Sequence, residues 1–288
     1  MRYLDPKNDL TFKKIFAEHP HLLISFLNSV LPLQTDQMIE SIEYLPLTSE
    51  PIIQLFRHRI IAIGCKGKNN QQFIVEVQML WTNSFQSHVF FNGSEASIKH
   101  LKGEEIHLNQ PVYALSLATQ NFSLDSESYF HCYKNVFIQN HNSPMKGLEF
   151  IFVELQKVKA KSLKEKAPGM LWLLFLSEPE QLMEQYSNDL QKYPELKEAL
   201  ELLKESSYTK EELASYDKYW DVIRVEKALI YDSLRQGREE GRQEGKVQTE
   251  EKTIVQLHKK GLSAIQISEI LEIELSFVES IFKKYGLS

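Results

Sequence analysis

The segment Phe73-Ile74-Val75-Glu76-Val77-Gln78 most constrains what this chain can become. Its β-branched and aromatic residues favour an extended strand. Side chains alternate along a strand, so Glu76 and Gln78 share one face and Val75 and Val77 the other. A carboxylate set among apolar residues is costly to bury unless it is paired or bound to a cation. Two readings follow. In one, Glu76 offers carboxylate oxygen to a hard cation such as Mg²⁺. In the other, Glu76 and Gln78 line the solvent face of a half-exposed strand, as in many antiparallel sheets.

The neighbours of this strand define its setting. Arg59 to Lys66 is also β-like, and the polar turn Gly67-Lys68-Asn69-Asn70-Gln71 joins the two as a hairpin. Residues 85–101 have helical periodicity, and the apolar strand Pro111-Val112-Tyr113-Ala114-Leu115-Ser116-Leu117 follows. Ahead of the hairpin stands Asp5-Pro6-Lys7-Asn8-Asp9-Leu10-Thr11-Phe12-Lys13-Lys14-Ile15-Phe16.

This combination resembles the Rpn family of recombination-promoting nucleases, also described as transposases, within the PD-(D/E)xK nuclease superfamily. The resemblance rests on Asp5-Pro6-Lys7-Asn8-Asp9 with Phe12, Lys13 and Phe16, on Ile74-Val75-Glu76-Val77-Gln78, and on Pro111-Val112-Tyr113-Ala114-Leu115-Ser116. It extends to the Gly-Arg-Glu-Glu-Gly repeat near the C-terminus. It implies an α+β restriction-endonuclease-like core, a central mixed sheet flanked by helices, with a helical C-terminal extension. It also implies a bacterial, Mg²⁺-dependent DNA endonuclease. In that superfamily an Asp on the preceding strand and the Glu of the ExK motif bind the metal. By position, Glu76 is the metal-binding acid, and Gln78 stands where the motif usually has Lys. The chemistry suits these types: Mg²⁺ takes oxygen ligands and keeps several waters, acidifies a bound water and shields phosphate charge.

The chain departs from the family pattern one strand earlier. The position of the metal-binding Asp falls on Ala62, and no Asp or Glu occurs between Glu50 and Glu76. A shift of register therefore supplies no acid. The expectation is a nuclease fold with weakened or lost cleavage, the alternative being a non-catalytic DNA- or protein-binding paralogue. Asp5 or Asp9, from the N-terminal helix, could supply a second acid, and Asp9 is the candidate catalytic and metal-binding residue of the two.

Asp9 and Lys13 are four residues apart and share a helix face. They read either as a surface ion pair at a helix start or as the rim of a phosphate-binding cleft. Lys157, Lys159, Lys161, Lys164 and Lys166 form a basic stretch after the strand 148–155. They read either as phosphate contacts, making DNA the expected partner, or as a solvated loop. The net charge of −6 argues against strong DNA affinity spread over the whole surface. The nine histidines show no spaced cluster with an acid, and His131 reads as a surface or packed side chain. Cys65 and Cys132 read as buried free thiols of a reducing, cytoplasmic compartment. No apolar run reaches the ~20 residues needed to cross a bilayer, so no membrane association is expected. The apolar run 170–176 reads as a core helix.

The expected elements are two helices within 1–32, strands at about 39–45, 58–66 and 71–79, a helix at about 85–102, and strands at about 111–120, 129–138 and 148–155. The loop Gln139–Pro144 reads as turn chemistry. Helices punctuated by Pro168, Pro179 and Pro194 follow at about 169–177, 179–192, 194–205, 209–215 and 217–235. The expected domains are 1–234, a charged segment 235–252, and a helical module 253–288. In the middle segment Gly237, Gly241 and Gly245 recur every four residues, which suggests an exposed marginal helix or a hinge. The last segment resembles a helix-turn-helix, with Gly261 suited to a C-cap and Ser263 to an N-cap. It serves either DNA or helix packing and homo-oligomerisation.

Overall fold

The computed structural model describes residues 2–45, 60–67, 72–78, 112–122, 126–137, 140–158 and 167–287. The helix expected at 85–102 lies outside these residues. Two compact units are present, 1–224 and 225–288.

In the first unit, six strands form one mixed sheet in the order β1-β2-β3-β4-β6-β5. They are β1 (Ile42–Leu45), β2 (Ile60–Gly67), β3 (Gln72–Gln78), β4 (Val112–Ala118), β5 (Phe130–Phe137) and β6 (Asn140–Glu154). β1, β2 and β3 pair antiparallel. β3, β4 and β6 run parallel, and β5 closes the other edge antiparallel to β6. Asn140–Pro144, expected as a turn, instead begin β6. The pairing is irregular between Lys134 and Phe137, around the Val136↔Pro144 pair. Proline lacks the amide N–H a regular ladder needs, which accounts for the irregularity.

Helices α1 (Asp9–Phe16), α2 (Pro20–Val30), α3 (Pro168–Ser177), α4 (Pro179–Tyr186) and α5 (Pro194–Leu202) belong to the same unit. Four of them start with a proline in the first turn, where its missing N–H leaves nothing unsatisfied. Phe12, Ile15 and Phe16 of α1 and the buried stretch Leu171–Leu176 of α3 share one large core with Phe73 and Val75 of β3. Tyr113, Leu115 and Leu117 of β4 and Ile151 and Val153 of β6 join it. The alternating positions Ala114, Phe150 and Phe152 pack with Phe122 in a separate cluster on the sheet's other face.

The motif Asp5–Asp9 is part of this architecture. Lys7 Nζ donates to the Leu176 carbonyl at the end of α3 (2.8 Å) and pairs with Asp5 (2.8 Å). The Asn8 side chain caps α1 by accepting from the Leu10 N–H (3.0 Å) and donates to the Tyr216 carbonyl (3.2 Å). The Asp5 N–H donates to the Tyr216 hydroxyl (2.9 Å). The motif thus ties together three helical segments far apart in sequence.

Helix α6 (Lys210–Lys259) begins in the first unit and ends in the second. The expected break at 215–217 is instead continuous helix, and 237–245, read as an exposed marginal helix or a hinge, is exposed continuous helix. The stretch lacks proline, and Arg235–Asp232 (3.3 Å), Gln236–Glu240 (2.8 Å) and Lys246–Glu250 (3.8 Å) bridge successive turns. In the second unit, α7 (Ala264–Leu271) and α8 (Leu275–Tyr285) pack with the end of α6 around Ile254, Ile267, Val278 and Ile281. Ser263 and Gln266 form a reciprocal capping box, and Gly261 adopts φ +91° at the preceding turn.

Gly169 sets the approach of α3 to α2. A Cβ there would stand 2.2 Å from the Ser29 carbonyl oxygen, which is backbone and has no side-chain freedom to yield. Gly169→Ala is expected to cost about 1–3 kcal/mol through forced overpacking, seen as a lower midpoint in urea unfolding. An unchanged midpoint would show that the two helices separate freely.

Candidate active site

Glu76 lies at the centre of the sheet. Its Cα partner on β2 is Ala62, and on β4 it is Ser116. One cross-strand row therefore runs Ala62–Glu76–Ser116, continuing to Phe152 of β6 and His131 of β5. The next row places Ile60, Gln78, Ala118 and Glu154 together. Because Phe73 and Val75 face the large core, positions 74, 76 and 78 belong to the opposite face of the pleat. The positions expected for the two metal-binding acids are thus direct neighbours, and one is alanine.

Ser116 is 1% exposed, and its Oγ has no hydrogen-bond partner among the described residues. Leaving a buried hydroxyl unpaired costs about 1–3 kcal/mol. The apolar residues around it, Ala114 and Phe152, supply no acceptor.

Asp9 is not brought to this row. It stands on α1, whose inner residues Phe12, Ile15 and Phe16 pack against the Phe73 and Val75 side of the sheet. Its carboxylate pairs with Lys13 (2.8 Å), and both side chains are about half exposed. Such a pair contributes ~0.2–1 kcal/mol.

Lys157 is not a solvated cation. Its ammonium lies 2.8 Å from Oε1 of Glu154 and donates to the Ser126 carbonyl (2.7 Å). Glu154 is fully buried at the end of β6. The same Oε1 lies 2.8 Å from Nε2 of His131, and Oε2 accepts the Phe122 N–H (2.9 Å). His131 therefore does face an acid, contrary to the sequence expectation, and Glu154 is a polar centre the sequence did not reveal. Lys159, Lys161, Lys164 and Lys166 lie outside the described residues. Cys132 is free and exposed rather than buried; of Cys65 only the backbone is described.

Tyr113 stacks on Phe73, their ring centroids 5.4 Å apart. Burial, reinforced by the charge of Glu149, pushes its hydroxyl up to about 12. Tyr113 therefore stays protonated at neutral pH and does not serve as a base. In the second unit, a hydrogen bond from Lys284 holds the Glu251 carboxyl below the usual carboxylate range. Lys284 contacts both Glu251 oxygens at 2.8 Å, so this lysine at the end of α8 is engaged within its own module.

Among the described residues, no three His, Cys, Asp or Glu side chains gather in a metal-binding cluster. The row nonetheless offers hard oxygen chemistry: a carboxylate residue at 76 and an orphaned hydroxyl at 116. Both residue types carry oxygen of the kind that hard divalent cations take.

The mixed sheet, with antiparallel and parallel pairs and flanking helices, is that of a PD-(D/E)XK nuclease fold. The chain matches the model of the PD-(D/E)XK nuclease family transposases over residues 6–231, and it belongs to that family. No curated protein and no solved structure matches it. No helix among the described residues is long and apolar enough to cross a membrane.

The Glu154 centre makes a sharp stability forecast. Lys157→Met leaves the buried carboxylate without its ammonium, and unfolding free energy at neutral pH should fall by about 3 kcal/mol. Replacing both partners, Glu154→Gln with Lys157→Met, should recover much of that loss. Equal stability of parent and single variant in urea titration would show the pair to be energetically idle.

Proposed function

We propose that this chain is a DNA-directed PD-(D/E)XK protein whose Mg²⁺-dependent phosphodiester hydrolysis is weakened or lost. The observation that carries the reading is the register pair Ala62↔Glu76. In this reading Ala62, beside Glu76 in the register, stands at the position of the family's first metal-binding Asp. Glu76 is the remaining metal-binding acid, with Gln78 one turn of the pleat further along. When bound, the cation would acidify a water and neutralise phosphate charge. The chain's own part is to hold that ion beside the scissile bond, and a single carboxylate holds it poorly. Loss of even an outer partner lowers affinity or activity ~10–100-fold, and a lost direct ligand costs at least as much.

Family membership supports DNA as the substrate. A bacterial cytoplasmic setting and a role in recombination belong to the same reading. The basic contacts to phosphate would come from Lys13 and from Lys159 and Lys161, with Lys157 committed to Glu154.

Supercoiled-plasmid nicking in Mg²⁺ or Mn²⁺ tests the reading. The parent should nick slowly or not at all. Ala62→Asp should gain metal-dependent nicking by at least ~10-fold, and adding Glu76→Ala should abolish the gain. Robust cutting by the parent, lost on Glu76→Ala, would show that the site needs no second acid. A parent that binds DNA while neither protein cuts would favour the non-catalytic paralogue.

A further inference from the structure

We propose that the Ser116 hydroxyl is a working group of the same site, a positioning residue that holds a water of the cation bound at Glu76. The inference rests on the reading of Glu76 as the metal-binding acid.

Three observations carry it. β3 and β4 pair in parallel with Glu76 and Ser116 as direct Cα partners, so the two positions are adjacent on the same face of the sheet. Ser116 is 1% exposed, so bulk water does not satisfy its hydroxyl. Its Oγ also lacks any hydrogen-bond partner among the described residues. The other residues of β4 on this face, Val112, Ala114 and Ala118, are apolar and equally buried. A serine retained there gains nothing from packing that alanine would not give. A hydroxyl can accept from or donate to a metal-bound water, and it is too weakly acidic to bind the ion as a carboxylate does. Such outer contacts fix the orientation of the groups that ligate the metal. This explains why a polar atom stands unpaired beside the acid of β3.

The test separates this role from a structural one. The full-length Ala62→Asp protein is titrated calorimetrically with Mn²⁺, with and without Ser116→Ala, and each protein's thermal midpoint is measured without metal. Removing the hydroxyl should weaken Mn²⁺ binding ~10–100-fold. The metal-free midpoint should stay level or rise, since an unsatisfied polar atom has been deleted. Unchanged Mn²⁺ affinity in Ser116→Ala would overturn the proposal while leaving the Glu76 reading intact. So would a lower metal-free midpoint with unchanged affinity, which marks a structural hydroxyl. If Ala62→Asp binds no Mn²⁺ even with Ser116 present, the Glu76 reading itself fails and takes this inference with it.

Discussion

The alternation of β3 between two environments governs the rest of this molecule. Phe73 and Val75 are fixed in the large core by contact with α1, α3 and the odd positions of β4. A strand that commits those residues to one face has no freedom over where positions 74, 76 and 78 go. A slip of one residue would place a carboxylate in an apolar core, at a cost of several kcal/mol. The hydrophobic residues of β3 thereby determine the position of its acid, and pairing with β2 and β4 determines its neighbours. Those neighbours, Ala62 and Ser116, set what the site can do.

The same constraint divides the polar residues into supports and candidates for chemistry. The side chains of Lys7 and Asn8 bind the start of α1 to α3 and α6, and Asp5 adds its backbone N–H to the Tyr216 hydroxyl. Glu154 joins β6 to β5 and to the segment after β4 through His131, Lys157 and the Phe122 amide. A buried carboxylate contacted by the Phe122 N–H, His131 and Lys157 is an anchor, because fully engaged polar networks rigidify a core. Ser116 is the contrasting case: as buried as Glu154, yet without a partner among the described residues.

Much of the fold was legible because it rests on period and punctuation. The apolar runs of β3 and β4, the prolines that open α2 to α5, and the capping serine before α7 all act locally, within a few residues. What failed was not local. Nothing around Glu154 signals burial, since its partners come from positions 122, 131 and 157, which meet only after the sheet forms. The pairing of Asp9 with Lys13, by contrast, was legible from a spacing of four on one helix face. The Gly237–Gly245 repeat left an exposed helix and a hinge both open on propensity alone; side-chain pairs along α6 and the absence of proline make it continuous exposed helix. Position 62 was readable by counting back from Glu76, and the observed register gives the same partner. Ser116 was quoted within a strand, but its isolation becomes visible only with its neighbours in place.

The central claim is that positions 62, 76 and 116 adjoin on one face of the sheet and differ from an intact metal site by one missing carboxylate. A crystal structure of the Ala62→Asp protein grown with Mn²⁺ measures this most directly. Anomalous density between the introduced carboxylate and Glu76, with a coordinated water within hydrogen-bonding reach of Ser116 Oγ, is the expected result. Density at another location, or a side chain at position 62 turned toward α1 and the Phe73 core, would contradict the account.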